Sequence, residues 1–504
     1  MRPQLVWKIL AALAVTPVIA TGQIPWLAPK CDIKPRHRLV NSSVLFLKSA
    51  SETRFDDQRQ KDLGDAQRLL TQALTSEGQD KNPAAWYYLG RYYVVRSDVP
   101  GAHSAFRQAE AMMPSCHDDI VFWRRNALWV PAFNAGVEAL NAQSYDSAVA
   151  AFRMALLAYD AETQTYTILA TAYFNAAKPD SAARYFRQAV QATSAPADST
   201  AKREAIFNMG NAFYMAQRYD SAAAAYAEYL VAVPNDPEAL TRLGDVLAAS
   251  GHLDSAMSVY RRIIAHPDSV DPVSLINTGV AVYNAAPPWP DTAGISTGCR
   301  TERQGGRTLT VVQRRKITVG CDSVARQAMT DRNAVARTNY QLAAQAFEAS
   351  LRRAPQSRDG LYNLSNSYMA LRDSGKMLEI AQRLVAVDPM SRGALRLVAQ
   401  AWQIRGNSDS ALHYVILADS LLPVEVSISS FIPRDSSATI GGLVSNYHEQ
   451  PSAPHKVAFE FLSPDGSVLA AETIEVPALD AGGTHPFQVR ASGTGIIAWR
   501  YHQE

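Results

Sequence analysis

Apolar residues recur along most of this chain with a helical period, in runs that restart at a nearly constant interval. The tripeptide Asp-Ser-Ala stands at 146–148, 180–182, 220–222, 254–256 and 409–411, with 34, 40, 34 and 155 residues between successive alanines. After it, apolar residues follow at i, i+4 and i+7: Ala148, Phe152 and Ala155; Ala182, Phe186 and Ala189; Ala222, Tyr226 and Tyr229; Ala256, Tyr260 and Ile263. That spacing lays one stripe along one helix face. The Asp is expected to start each helix, its carboxylate accepting from orphan N–H groups of the first turn. A second amphipathic segment precedes the phrase, clearest in Ile206–Phe213 and Leu361–Tyr368, with a few polar residues between. The unit is helix, short turn, helix. A fixed interval of this size means a solenoid or array in which no pair buries its own face alone.

The positions of the unit resemble those of the tetratricopeptide repeat. Trp86, Leu89, Gly90, Tyr93, Ala102, Phe106, Ala109 and Pro114 match that pattern throughout. Ile206, Gly210, Phe213, Ala222, Tyr226 and Pro234 match it, as do Leu240, Leu243, Gly244, Leu247, Ala256 and Tyr260. Leu361, Leu364, Tyr368 and Pro389, then Leu395, Trp402, Ala411, Ala418 and Pro423, carry it to the end of the array. The resemblance implies a mainly α fold: an α-α superhelical solenoid of about eight repeats over 83–423, behind an N-terminal helical cap at 31–80. Gly and Ala let paired helices approach, and aromatics fill the gaps.

Two stretches break the period. The sixth unit is split: its first helix runs from Leu275 to about Ala285, and its second resumes near Arg337, with Ala343, Phe347 and Pro355 in register. The insertion, 287–334, opens with Pro287-Pro288-Trp289-Pro290, which cannot be helical. Thr308–Val312 and Ile317–Val319 are β-branched and predict short strands. After Pro423 the pattern alternates with period two, as in Val424–Ile428 and Val457–Phe461, which predicts an all-β sandwich over 424–504. Gly442, Val444, Asn446, Asp465, Gly466, Gly483 and Phe487 resemble the FxLYD-type bacterial domain, implying an immunoglobulin-like fold.

Composition adds little beyond this frame. In 504 residues, 47% hydrophobic and 19% charged, a formal charge of +2 excludes a general nucleic-acid binder. Arg2 and Lys8 precede an apolar run, Ile9 to Ala20, which reads as a signal peptide over 1–20 or as an uncleaved membrane anchor. Either reading makes the protein exported, to a periplasm or the extracellular space, with membrane proximity through the N-terminus in the second case. Four cysteines behind such a segment suggest disulfides. Cys299 and Cys321 bracket the insertion and are paired on that ground, which leaves Cys31 with Cys116; four reduced thiols are the alternative.

Candidate chemistry is sparse. No phosphate loop, nucleophile elbow or zinc-helix motif occurs, and Cys116-His117-Asp118-Asp119 reads as a loop rather than a metal site. The expectation is no enzyme, no metal and no cofactor. The resemblance implies instead that the first helices line a concave groove for an extended segment of a protein partner. Asn134, Asn208, Asn277 and Asn363 share one repeat position, Asn211 and Asn366 a second, and Asn141, Asn175 and Asn284 a third. An amide offers a main chain both donor and acceptor. Tyr87, Phe133, Phe207, Tyr214, Tyr283 and Tyr362 are the candidate aromatic anchors. The insertion carries Arg300, Arg303, Arg307, Arg314, Arg315 and Lys316 against Glu302 alone between its cysteines; it is an anion-, lipid- or partner-docking loop, or a solvated decoration. Two function classes stand: a non-catalytic scaffold of the cell envelope, or an accessory subunit of an envelope secretion or assembly complex, or cryptic enzyme, working through the insertion.

Overall fold

A computed structural model describes residues 26–193 and 199–504; the expected signal segment lies outside them. The chain divides into two compact units, Met1–Pro234 and Asn235–Glu504. The first holds α1 (Arg38–Glu52), α2 (Asp56–Ser76), α3 (Pro83–Val95), α4 (Val99–Met112), α5 (His117–Trp123), α6 (Val130–Asn141), α7 (Tyr145–Ala158), α8 (Gln164–Asn175), α9 (Pro179–Ala192), α10 (Thr200–Met215) and α11 (Tyr219–Ala232). A π-helical stretch, Arg124–Trp129, joins α5 to α6. The pairs α1/α2, α3/α4, α6/α7, α8/α9 and α10/α11 pack on each other.

The second unit holds α12 (Pro237–Ala249), α13 (Leu253–Ala265), α14 (Pro272–Asn284), α15 (Thr292–Gln304), α16 (Val311–Arg353), α17 (Arg358–Leu371), α18 (Ser374–Val387), α19 (Arg392–Ile404) and α20 (Ser408–Ile416). Its pairs are α12/α13, α14/α16, α17/α18 and α19/α20. Six strands follow: β1 (Glu425–Arg434), β2 (Ser437–Ser445), β3 (His455–Leu462), β4 (Val468–Val476), β5 (Thr484–Ser492) and β6 (Ala498–Gln503). They form two antiparallel three-stranded sheets, ordered β1-β2-β5 and β4-β3-β6, so the fold is mainly helical with a small all-β domain. Alternation buries Val426, Ile440, Val444, Val457, Phe459, Phe461 and Val489. The domain is pinned within its unit where the Tyr501 hydroxyl donates to Asp388 Oδ1 at 2.6 Å and accepts from the Met390 amide at 3.2 Å.

One packing contact defines the repeat. A Cβ on Gly90, Gly136, Gly210 or Gly244 would fall 2.5–2.7 Å from a ring carbon of Phe106, Phe152, Tyr226 or Tyr260 respectively, each on the second helix of the same pair. Only glycine lets those rings lie on the backbone of the first helix. Seven residues after the same position, the first helix ends in a left-handed residue: Ser97, Gln143, Ala177, Gln217 and Arg372, and glycine only at Gly251 and Gly406. That residue turns the chain into the second helix.

Three sequence expectations need correction. The Asp of Asp-Ser-Ala is not the cap: it is the second residue of α7, α9, α11 and α13, and the N-caps Ser144, Lys178, Arg218 and His252 make no side-chain cap bond. Asp146 and Asp180 reach instead to the turn of the following pair, onto Lys178 at 2.6 Å and Arg218 at 3.4 Å. Second, Thr308–Val312 and Ile317–Val319 form no strands. Val311 begins α16, whose 43 residues run unbroken to Arg353 rather than resuming near Arg337. A capping box between Thr310 and Gln313 starts this helix, and α15 packs on it. Those contacts outweigh the few tenths of a kcal/mol that each β-branched residue costs a helix. Third, the cap is not helical from residue 31, because helix begins at Arg38.

The split repeat is otherwise intact. Gly279 meets the Phe347 ring 2.5 Å from where its Cβ would stand, although the whole insertion separates them in sequence. The extra chain is a helical hairpin, α15 and the first half of α16, closed by the Cys299–Cys321 disulfide. Arg332 anchors its base, stacking 3.8 Å over the Trp289 ring and donating to the Pro287 carbonyl at 2.9 Å.

Candidate peptide-binding faces

Angles around the helix decide which side chains are open. Each residue advances the helix by somewhat more than a quarter turn, so the position two before the repeat glycine lies almost opposite it, turned away from the second helix. Positions three before and four after lie close to the glycine in angle, turned toward that helix.

Asn134, Asn208, Asn277 and Asn363 hold the outward position, half-buried or exposed. Among the described residues, the amides of Asn134, Asn208 and Asn277 make no hydrogen bond, while Asn363 Nδ2 donates to the Asp359 carbonyl of its own helix at 2.8 Å. Of the second row, Asn211 Oδ1 accepts from the Tyr226 hydroxyl at 2.7 Å, and Asn366 Nδ2 donates to the Tyr362 carbonyl at 3.0 Å. Asn141, Asn175 and Asn284 are the last residues of their helices.

The aromatic candidates fare differently. Tyr87, Phe133 and Phe207 are core residues, which corrects their assignment as anchors. They stand three before the glycine and pack on the ring of the second helix: Tyr87 on Phe106, Phe133 on Phe152, Phe207 on Tyr226. Tyr283, four after its glycine, lies 4.8 Å from Tyr340 of α16, and burial raises its hydroxyl pKa. Tyr214, half-buried, lies 6.0 Å from Tyr219. Tyr362 alone of the six is open, 37% exposed, with Arg358 over its ring at 5.3 Å.

In the first unit, α6, α8 and α10 border a cavity of about 230 Å³. Its lining includes Phe133, Gln164, Thr167, Ile168, Thr171 and Lys202. The sequence marks α8 only by Asn175 at its end: Ile168 fills its outward position and Ala170 the glycine position, so the signal for this part of the face was register alone. In the second unit, Arg242 of α12 shares the outward position with Asn277 and Asn363.

At the start of the first unit this face already holds chain. Trp26 stacks on Tyr88, which is the outward residue of α3, with ring centroids 6.4 Å apart and an 8° interplanar angle. Arg91, the next residue after the repeat glycine, donates to the Leu27 carbonyl at 2.6 Å. Its guanidinium lies 4.3 Å from the Trp26 ring and 4.1 Å from that of Trp123 in α5. The Lys30 amide donates to Asp119 Oδ1 at 3.3 Å, and the other oxygen of that buried carboxylate accepts from Tyr87, whose hydroxyl pKa burial pushes up. Cys31 is then bonded to Cys116 just ahead of α5. Residues 26–29 have no regular structure of their own and lie along α3, the first helix of its pair, read by an aromatic ring and by a donor to the main chain.

The insertion presents a different surface. Arg300 is consumed within the hairpin by Asp322 at 2.8 Å and Ser296 at 2.7 Å. Arg303, Arg307, Arg314, Arg315 and Lys316 cluster around its tip, beside Val311 and Val312 at 76% and 78% exposure. Among the described residues, no group of three or more His, Cys, Asp or Glu is placed to hold a metal ion. Cys116 is in its disulfide, and His117 pairs with Glu110 at 2.5 Å.

The tetratricopeptide-repeat family model matches residues 56–115 and 207–270, and the chain carries tetratricopeptide repeats. Repeats of this class generally mediate protein–protein interactions. No curated protein matches the chain. Among solved structures it is similar to MamA, at 19% identity over 39% of this chain and 95% of that one, with a TM-score of 0.26. It is also similar to PilW, described as a widely conserved type IV pilus biogenesis factor, at 15% identity over 51% and 93%, TM-score 0.28. A third is the TPR2AB-domain:pHSP90 complex of yeast Sti1, at 14% identity over 58% and 90%, TM-score 0.24.

Proposed function

We propose that this protein is a non-catalytic scaffold of the cell envelope, exported to an oxidising compartment, whose first-helix faces hold extended segments of a partner polypeptide. The observation that carries the reading is the stretch from Trp26 to Cys31. There the molecule seats irregular chain of its own on the face in question, with Tyr88 stacking on a side chain and Arg91 bonding a main-chain carbonyl. The amides of Asn134 and Asn208, and of Asn277 in the second unit, which make no hydrogen bond among the described residues, offer the same service. Two disulfides suit export, and no helix among the described residues is long and apolar enough to cross a membrane. The β domain is taken as an FxLYD-type, immunoglobulin-like module flanking the scaffold.

Crosslinking in the native exporting cells, followed by mass spectrometry, tests the reading. Wild type runs beside Asn134→Ala/Asn208→Ala/Asn277→Ala. A partner captured by wild type and lost from the folded variant is expected; equal capture by both sinks the reading.

A second reading rests on the hairpin tip. Five cations around two exposed valines, with Asp322 already used by Arg300, suit an anionic bilayer surface, with charge on the headgroups and valine between them. An accessory role in an envelope assembly follows if the tip, rather than the helix faces, docks the protein. Co-sedimentation with phosphatidylglycerol vesicles, lost in Arg314→Glu/Arg315→Glu and absent with phosphatidylcholine, supports it. Indifference to lipid charge rejects it.

A further inference from the structure

A second cavity in the first unit, about 390 Å³, lies apart from the rows described above. His103 of α4, Arg124, Arg153 of α7, Asp160, Tyr166 of α8 and Tyr185 of α9 line it. Arg124 opens the π-helical stretch between α5 and α6, and such bulges are frequent at functional sites. Its Nη1 donates to Glu110 Oε2 at 3.5 Å. Its Nε and Nη2 are buried with no hydrogen-bond partner, and so is Nδ1 of His103.

A guanidinium does not escape desolvation by losing its proton, and a buried donor left unmet is costly, the more so when charged. The two unmet groups, Nε and Nη2, form one edge of the planar fork, the edge that donates side by side to two oxygens of a carboxylate or phosphate. The surroundings favour an anion. Arg153 lines the cavity and Arg107 stands near enough to depress His103. On the acidic side, Glu110 is shared between Arg124 and His117, which leaves Asp160. Burial first, then Arg124, lowers the His103 pKa and keeps its imidazole neutral. Burial raises the Tyr166 hydroxyl pKa, so it remains a donor.

We propose that this cavity is an oxyanion-binding site, with Arg124 as the bidentate ligand and Arg153, Tyr166 and the neutral His103 around it. The ligand class is a small carboxylate or phosphate. The site is independent of the peptide-binding faces, so its failure leaves that reading untouched.

Isothermal titration of the full, oxidised protein with inorganic phosphate and, separately, with malonate tests the site. Saturable one-to-one binding of at least one ion is expected, weakened about tenfold or more in Arg124→Gln, which keeps much of the side chain's bulk. Tighter phosphate identifies a phosphate site, and tighter malonate a carboxylate site. Absence of saturable binding by both ions overturns the proposal, as does undiminished binding in folded Arg124→Gln. Should that variant fail to fold, Arg153→Gln decides: Arg153 is exposed, its loss spares the core, and unchanged affinity there overturns the proposal equally.

Discussion

The two disulfides staple opposite kinds of structure. Cys31–Cys116 ties an irregular segment onto the helices of the first unit, where Trp26, Tyr88, Arg91 and Asp119 hold it. Cys299–Cys321 ties two helices to each other in a hairpin whose tip is exposed and charged. The first joins residues 85 apart in sequence and belongs to the core; the second joins residues 22 apart and belongs to an appendage. A repeat array tolerates both because each pair leans only on its neighbours. An insertion between two helices of a pair leaves the pair's own contact in place, as Gly279 and Phe347 show.

The sharpest way to break this contrast is to remove each staple. In the chain-entropy model the longer loop contributes about 4–5 kcal/mol and the shorter about 3 kcal/mol. Cys31→Ser/Cys116→Ser is expected to lower the denaturation midpoint of the first unit and to expose Trp26 to quenchers. Cys299→Ser/Cys321→Ser is expected to raise hydrogen exchange in α15 while the global midpoint barely moves. Equal global losses erase the distinction between core and appendage.

Next in size are the glycines. Gly279→Ala and Gly210→Ala each drive a methyl into an aromatic ring, at 2.5 and 2.7 Å, and each is expected to cost about 1–3 kcal/mol in urea unfolding. Similar costs mean that the hairpin hangs from a normal repeat. A near-neutral Gly279→Ala means that the split pair packs loosely.

Smaller again is Arg91→Met, which removes the bond to Leu27 and two ring contacts while keeping the disulfide. It is expected to cost about 1–2 kcal/mol and to increase Trp26 quenching. Smallest is Val311→Ser/Val312→Ser at the hairpin tip, expected to change stability by less than about 0.5 kcal/mol; a larger loss shows that the tip is covered.

Much of this architecture is legible in the order of residues, and what is not has physical reasons. The glycine and the aromatic that covers it are local and periodic, so the repeat and its split can be read directly. The hairpin escapes a reading that weighs β-branched residues alone, without the Thr310–Gln313 capping box or the packing of α15. Tyr87, Phe133 and Phe207 pass for anchors when spacing is noted without the angle from the glycine. The turn after each first helix is hidden by its chemistry: a left-handed residue announces itself at Gly251 and Gly406, but not at Gln143 or Ala177. The segment at 26–31 carries one weak mark, Trp26-Leu27 just ahead of a cysteine. The cavity around Arg124 carries none, since its lining comes from elements scattered between His103 and Tyr185.

Partner chain is proposed to lie on the first-helix faces and not on the second helices. A photo-crosslinking residue placed at Asn208, on the outward side of α10, and in a separate protein at Glu228, exposed on α11, tests this in the exporting cell. A partner peptide crosslinked at 208 and none at 228 is the expected result. A peptide captured only at 228, or equally at both, contradicts it.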